Sequence, residues 1–133
     1  MLYPMFVLVM LTYIIMLITV RARMGSVRSG NVPASYYALM SGHEVPEFIH
    51  KTSRHFSNLF EVPLLFYTAG VLYIALGLSD PLPITLAWGF VLARVIHTCI
   101  HLGYNNVLHR LIIFGIGNLL VLAMWIAIVS TAN

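Results

Sequence analysis

Charge is what this sequence has least of. Charged side chains make up 8% of its 133 residues, about a third of the share in a soluble domain. Acidic groups number four: Glu44, Glu47, Glu61 and Asp80. A chain this poor in charge cannot cover its own surface against water, which excludes an ordinary soluble domain. The single cysteine, Cys99, excludes an intramolecular disulfide and gives no indication of redox compartment. Placed inside an apolar run, it reads as a packing residue. Lys and Arg are absent from the first 20 residues, and Arg21 and Arg23 follow the leading apolar run without a small-residue cleavage site. That run therefore reads as a retained helix and not as a signal peptide.

What the chain does have is apolar length. Hydrophobic residues make up 60% of it, and its mean hydropathy is +0.92. Residues 2–20, 62–79, 82–100 and 111–131 are apolar stretches, each close to the roughly 20 residues that cross a bilayer as a helix. The expected fold is all-α: one domain over residues 1–133, a bundle of four transmembrane helices. With their flanks, the spans are expected at about residues 2–23, 54–78, 82–103 and 108–131, leaving a loop of about 24–53. Arg21, Arg23, Arg28, Lys51, Arg54 and Arg110 gather at the end holding this loop, while the opposite end offers Asp80 and no cation. By the positive-inside rule, the loop is expected in the cytoplasm and both termini outside. This distribution accounts for the net charge of +3 without a nucleic-acid partner. A bacterial inner membrane fits the short termini.

Several breaks punctuate the pattern. Gly25, Gly30, Asn31 and Pro33 are expected to end the first helix, and residues 34–52 read as an interfacial segment with one short helix. Thr52 or Ser53 is expected to cap the second span, and Pro63 to kink it. Ser-Asp-Pro-Leu-Pro at 79–83 and Gly-Tyr-Asn-Asn at 103–106 read as turns, and Gly115 and Gly117 allow close approach to the fourth span. Trp88 and Trp125 read as packing aromatics.

The informative polar residues lie at membrane depth, where ionisable groups are costly and usually mark a functional site. Arg54, Asn58 and Glu61 are spaced i, i+4, i+7; Arg94, His97 and His101 are spaced i, i+3, i+7. Each set is expected on one face of a helix. The short turn between spans two and three makes these antiparallel neighbours, so the two polar faces should meet in the half of the membrane nearer the long loop. The result is a pocket rich in cations with one carboxylate and one amide. Arginines take carboxylates bidentately, Asn58 donates and accepts, and Glu61 can accept an ammonium. A peptide-like ligand with carboxylates and one amine fits this inventory. Glutathione is such a molecule, although the inventory does not single it out.

These residues carry a resemblance to the MAPEG family, the membrane-associated proteins in eicosanoid and glutathione metabolism. Arg54, Asn58, Glu61 and Pro63 match its second-span motif; Arg94-Val-Ile-His97 and Leu102-Gly103 match the third. The resemblance covers essentially the whole chain. It implies a homotrimer binding glutathione near the cytoplasmic face, with Arg54, Asn58 and Glu61 holding the tripeptide and Arg21, Arg94, His97 and His101 contributing. It also implies transferase or peroxidase chemistry on a lipophilic substrate from the bilayer, with Arg110 stabilising the thiolate and His97 orienting the peptide or moving a proton. Tyr104 is a candidate ligand contact at the pocket mouth, and otherwise an interfacial anchor. The chain departs from the family at His101, where the related branch has tyrosine, at Leu111 and Phe114, which replace hydroxyl-bearing residues, and at Ser57, which replaces an arginine.

Three other readings stay open. A catalytically inactive membrane subunit could keep the polar network as structure, with Glu61 pairing Arg94 or Arg54. A metal or haem site could use His97 and His101 with Glu61, and with His50, His55 or His109 nearby, although no familiar ligand motif is present. Transport is poorly supported, because broken helix pairs are missing from the pattern.

Overall fold

The computed structural model describes residues 1–131; among them it has helices and no strand. Helix α1 runs Leu2–Arg28, α2 is the short Tyr36–Leu39, α3 is Glu47–Asn58, α4 is Val62–Ala75, α5 is Pro81–Leu102 and α6 is Val107–Thr131. Four segments are long and apolar enough to cross a membrane: α1, the α3–α4 pair from Glu47 to Ala75, α5 and α6. The chain is an all-helical integral membrane protein.

The large apolar side chains left outside the core fit that environment. Leu64 is 63% exposed, Leu92 61% and Leu119 66%, a surface that lipid covers and water would not tolerate. Hydroxyls on these helices turn inward to their own backbone: Thr12, Thr68 and Ser130 donate to the carbonyls four residues back. Such bonds satisfy a polar group where no water is at hand.

Boundaries of α1, α3 and α4 differ from the sequence expectation. Helix α1 passes through Gly25 and ends at Arg28; a lone glycine costs a helix only about 1 kcal/mol, and the stop comes at Gly30, whose φ is +73°. Helix α3 begins at Glu47 behind Pro46, not at Thr52 or Ser53. Thr52 lies inside the helix, and its hydroxyl donates to the Phe48 and Ile49 carbonyls instead of capping. Pro63 does more than kink the second span. Its ring has no N–H to give the Leu59 carbonyl and crowds it, so the helix stops at Asn58 and restarts at Val62. Glu61, at φ −85° and ψ −92°, stands in the break. It therefore does not share a helix face with Arg54 and Asn58, and α4 ends at Ala75 rather than near Leu78.

The core gathers Leu8, Phe66, Ala69, Ala87, Phe90, Met124 and Ile128 from four helices. Helix α5 packs along α6, α3 lies against α1 and α5, and α4 lies against α6. Gly117 lies at the α5–α6 contact, where a Cβ would make an ordinary 3.5 Å contact with the Phe90 ring. Gly103 ends α5 at φ −84° and ψ −118°, and a Cβ on it would lie 2.7 Å from the Cys99 carbonyl oxygen. Because that oxygen belongs to the backbone and cannot swing aside, Gly103→Ala is expected to destabilise the protein by about 1–3 kcal/mol. Thermal unfolding in detergent checks this; an unchanged midpoint would show that the turn relaxes freely.

Candidate functional site

The α3–α4 break, the end of α1 and the start of α6 surround an open cavity of about 890 Å³. Arg23, Arg54, Asn58, Glu61, His97 and Arg110 line it with polar groups, and Val107, Leu111 and Phe114 of α6 supply an apolar side. Three guanidiniums thus face one carboxylate. Among the described residues the side-chain ion pair is Lys51 with Glu47 at 2.8 Å, away from this set. Among the described residues Glu61 forms no salt bridge with Arg94 or Arg54, so the ion pair of the structural reading is not formed, and one carboxylate faces three guanidiniums in the cavity.

Two of these cations, Arg23 and Arg110, are held by local hydrogen bonds. Arg23 donates from Nη2 to Ser53 Oγ at 3.0 Å, and its guanidinium stands 5.6 Å from the Tyr37 ring centre. Tyr37 is itself tied to Ser26 by a 2.6 Å hydroxyl contact. Arg110 donates from Nη1 to Asn105 Oδ1 at 2.8 Å. Asn105 can offer that oxygen because the turn puts it at φ +53°, a left-handed conformation that asparagine adopts more readily than most residues. The neighbouring Asn106 accepts from the His109 backbone N–H at 3.1 Å and so caps α6. The Arg110 Nε is buried without a partner.

Arg94 lies beneath the cavity, 2% exposed, with its guanidinium 5.1 Å from the Phe90 ring centre and 5.3 Å from that of Phe114. Its Nε and Nη2 are buried and unpartnered. These two donors share one edge of the guanidinium, the edge that meets an oxyanion bidentately. His97 and His101 stack at 5.7 Å between ring centres, and His55 from α3 packs 5.5 Å and 5.0 Å from them. All three imidazoles are buried. Among the described residues no group of three His, Cys, Asp or Glu side chains is arranged to hold a metal ion, which removes the support for a metal site at His97, His101 and Glu61. The surrounding guanidiniums act in the same direction, because they repel a cation and attract an anion.

The structure therefore brings Arg54, Asn58, Glu61, His97 and Arg110 to one cavity and puts Arg94 and His101 behind its wall. Arg21 is exposed and outside it; Arg23 takes the place at the end of α1. Tyr104 is 65% exposed and bonds His109 Nδ1 at 2.9 Å, also away from the cavity. The sequence reading named Arg23 only among the cations at this end and His55 only beside a possible metal site, and gave neither a place in the ligand pocket. A signal for Arg23 was available: Thr12, Thr19 and Ser26 repeat every seven residues along α1, and Arg23 falls on that stripe while Arg21 falls opposite.

Residues 1–130 match the family model described as the MAPEG family. No curated protein and no solved structure matches the chain.

Proposed function

The chain belongs to the MAPEG family, which includes glutathione-dependent transferases and peroxidases, and from that premise we propose that the cationic cavity holds glutathione and presents its thiolate to a lipophilic electrophile. The observation that carries this reading is the imbalance of the lining: Arg23, Arg54 and Arg110 against Glu61 alone, with the Asn58 amide between them. Arg23 and Arg110 are half-buried, and half-buried charge without a counter-charge is costly. A tripeptide with two carboxylates, one ammonium and amide groups compensates it in both signs.

In this reading Arg54 and Arg23 take carboxylates, Glu61 takes the ammonium and Asn58 bonds a peptide group. Arg110, with a donor to spare, faces the sulfur. A guanidinium there favours the thiolate, the nucleophilic form. The thiol proton leaves to solvent through the open cavity mouth, and the sulfur attacks the electrophilic carbon of a substrate lying along Leu111 and Phe114 of α6, forming the C–S bond as the substrate's leaving group departs with its electron pair into the cavity. His97, at the same wall, orients the peptide. Arg94 and His101 support that wall from behind. The active form is proposed to be a homotrimer in a bacterial inner membrane, with the cavity end cytoplasmic and both termini outside.

Calorimetric titration tests the reading. Glutathione should bind the purified protein saturably, and its analogue amidated at the glycine carboxylate should bind about tenfold more weakly or worse, having lost one charge-assisted contact. A folded protein that binds neither would overturn the proposal and leave the polar residues as a structural network.

A further inference from the structure

His55 is fully buried on α3, one residue after Arg54 and three before Asn58, and its hydrogen bonding is decided by a count of protons. His55 Nε2 lies 2.8 Å from Thr98 Oγ1, and Thr98 Oγ1 lies 2.8 Å from the Arg94 carbonyl oxygen. A hydroxyl has one proton to give. If Thr98 gave it to His55, two oxygen lone pairs would face each other at hydrogen-bond distance with nothing between them. Both contacts are bonds only when Thr98 donates to the Arg94 carbonyl and the His55 Nε2–H donates to Thr98. The tautomer of His55 is set in this way, by a threonine that is itself buried.

The bond also has a mechanical role. Helix α3 is 12 residues long and is separated from α4 by the break at 59–61, so α4 does not align it. Its position follows from side contacts instead. Arg23 with Ser53, and Thr19 with the Thr52 carbonyl at 3.3 Å, tie it to α1. The side-chain hydrogen bond tying it to α5, among the described residues, is His55 with Thr98. That bond joins the wall carrying Arg54 and Asn58 to the wall carrying His97, and the rings of His97 and His101 both pack against the His55 ring.

We infer that His55 is a positioning residue for the ligand in this cavity: through Thr98 it sets the gap between the α3 and α5 walls, and so the placement of Arg54 and Asn58 against glutathione. The inference rests on the glutathione reading above. It assigns no contact between His55 and the ligand, because His55 does not border the cavity.

Four variants test it in the whole protein, with glutathione titration and thermal unfolding side by side. Thr98→Val keeps the volume and removes the acceptor; glutathione affinity should fall roughly ten- to a hundredfold, the scale of effect expected when a binding group is displaced by about an ångström. Thr98→Ser restores the hydroxyl and should restore affinity. His55→Gln, whose amide nitrogen reaches nearly as far as Nε2, should bind within a few-fold of wild type, whereas the shorter His55→Asn should not. A lowered unfolding midpoint with unchanged glutathione affinity in Thr98→Val would reduce the bond to plain packing and overturn the inference. If that variant does not fold, equal binding by His55→Gln and His55→Asn overturns it as well. Wild-type protein that binds no glutathione would sink the functional reading, and the tether's role with it; wild-type binding matched by Thr98→Val would sink the tether alone.

Discussion

Arg110→Met is expected to leave glutathione bound and to remove most of its reactivity. Methionine keeps the aliphatic stem of this α6 side chain, to about the reach of Nε, but removes the permanent charge. The carboxylates of the tripeptide are assigned to Arg23 and Arg54, so affinity should change by no more than about tenfold, roughly one charge-assisted contact. The sulfur is different. A charge aimed at the atom where negative charge develops contributes about 2.7–4 kcal/mol when the site is preorganised, which is about a hundred- to thousandfold in rate. Arg110 is preorganised here: Asn105 holds Nη1 at 2.8 Å, and that leaves the buried Nε without a partner. The ultraviolet absorbance of bound thiolate should disappear at neutral pH. The sign of the pH effect follows. Removing a cation disfavours the thiolate, so the bound thiol loses its proton at higher pH, and the rising limb of the pH–rate profile moves to the alkaline side. About one pH unit of displacement corresponds to 1.36 kcal/mol. Unchanged thiolate absorbance and turnover would take the stabilising role away from Arg110.

The double variant Arg54→Ala, Glu61→Gln is expected to abolish detectable glutathione binding. One side chain comes from α3 and the other from the helix break, and they take opposite charges of the ligand, so losing both removes recognition of a carboxylate and of the ammonium. A hydrogen bond to a charged group contributes about 1.5–3 kcal/mol, and two such groups together account for about a hundred- to ten-thousandfold in affinity. Both residues are exposed at the cavity edge, so neither is needed for packing, and the unfolding midpoint should stay within a few degrees. The same measurement separates the two readings of the polar residues. A structural network would lose its assembly and midpoint in this variant while any ligand affinity followed only as a consequence. Retained stability with lost binding identifies a ligand site, and retained binding would exclude these two residues from it.

Much of this was legible along the chain because a bilayer leaves few choices. In lipid backbone polar groups must be satisfied within the protein, which leaves helices and closed barrels, and continuous apolar stretches of about 20 residues have the length of helices. The scarcity of charge made Arg54, Glu61, Arg94 and Arg110 conspicuous for the same reason. The position of Pro63 also announced a disturbance. Whether it would bend the helix or end it depended on whether neighbours could satisfy the released Leu59 carbonyl, which the linear order does not say. The difference matters for function, since the break is what turns Glu61 from a third residue on a helix face into a group at the cavity edge.

The choice between Arg21 and Arg23 shows another limit. Helix α1 is apolar nearly all round, so hydrophobic periodicity could not phase it, and its weak polar stripe of Thr12, Thr19 and Ser26 is easily passed over. His55 was hidden more deeply. A histidine next to Arg54 reads as one more polar residue at a helix end, and its bond to Thr98 joins positions 43 residues apart.

By itself, then, the sequence determined the class of the molecule, the number and rough extent of its membrane spans, and the residue types from which a cationic site is made. Those follow from composition and from the local rule that backbone bonds close within a helix. Tertiary structure alone decided which cations face the cavity, where Glu61 stands, that among the described residues no group of three ligating side chains converges on a metal position, and which hydrogen bond ties α3 to α5. Those depend on how the helices rotate and pack against one another, and that rotation is set by side-chain contacts between distant segments that no single stretch of the chain contains.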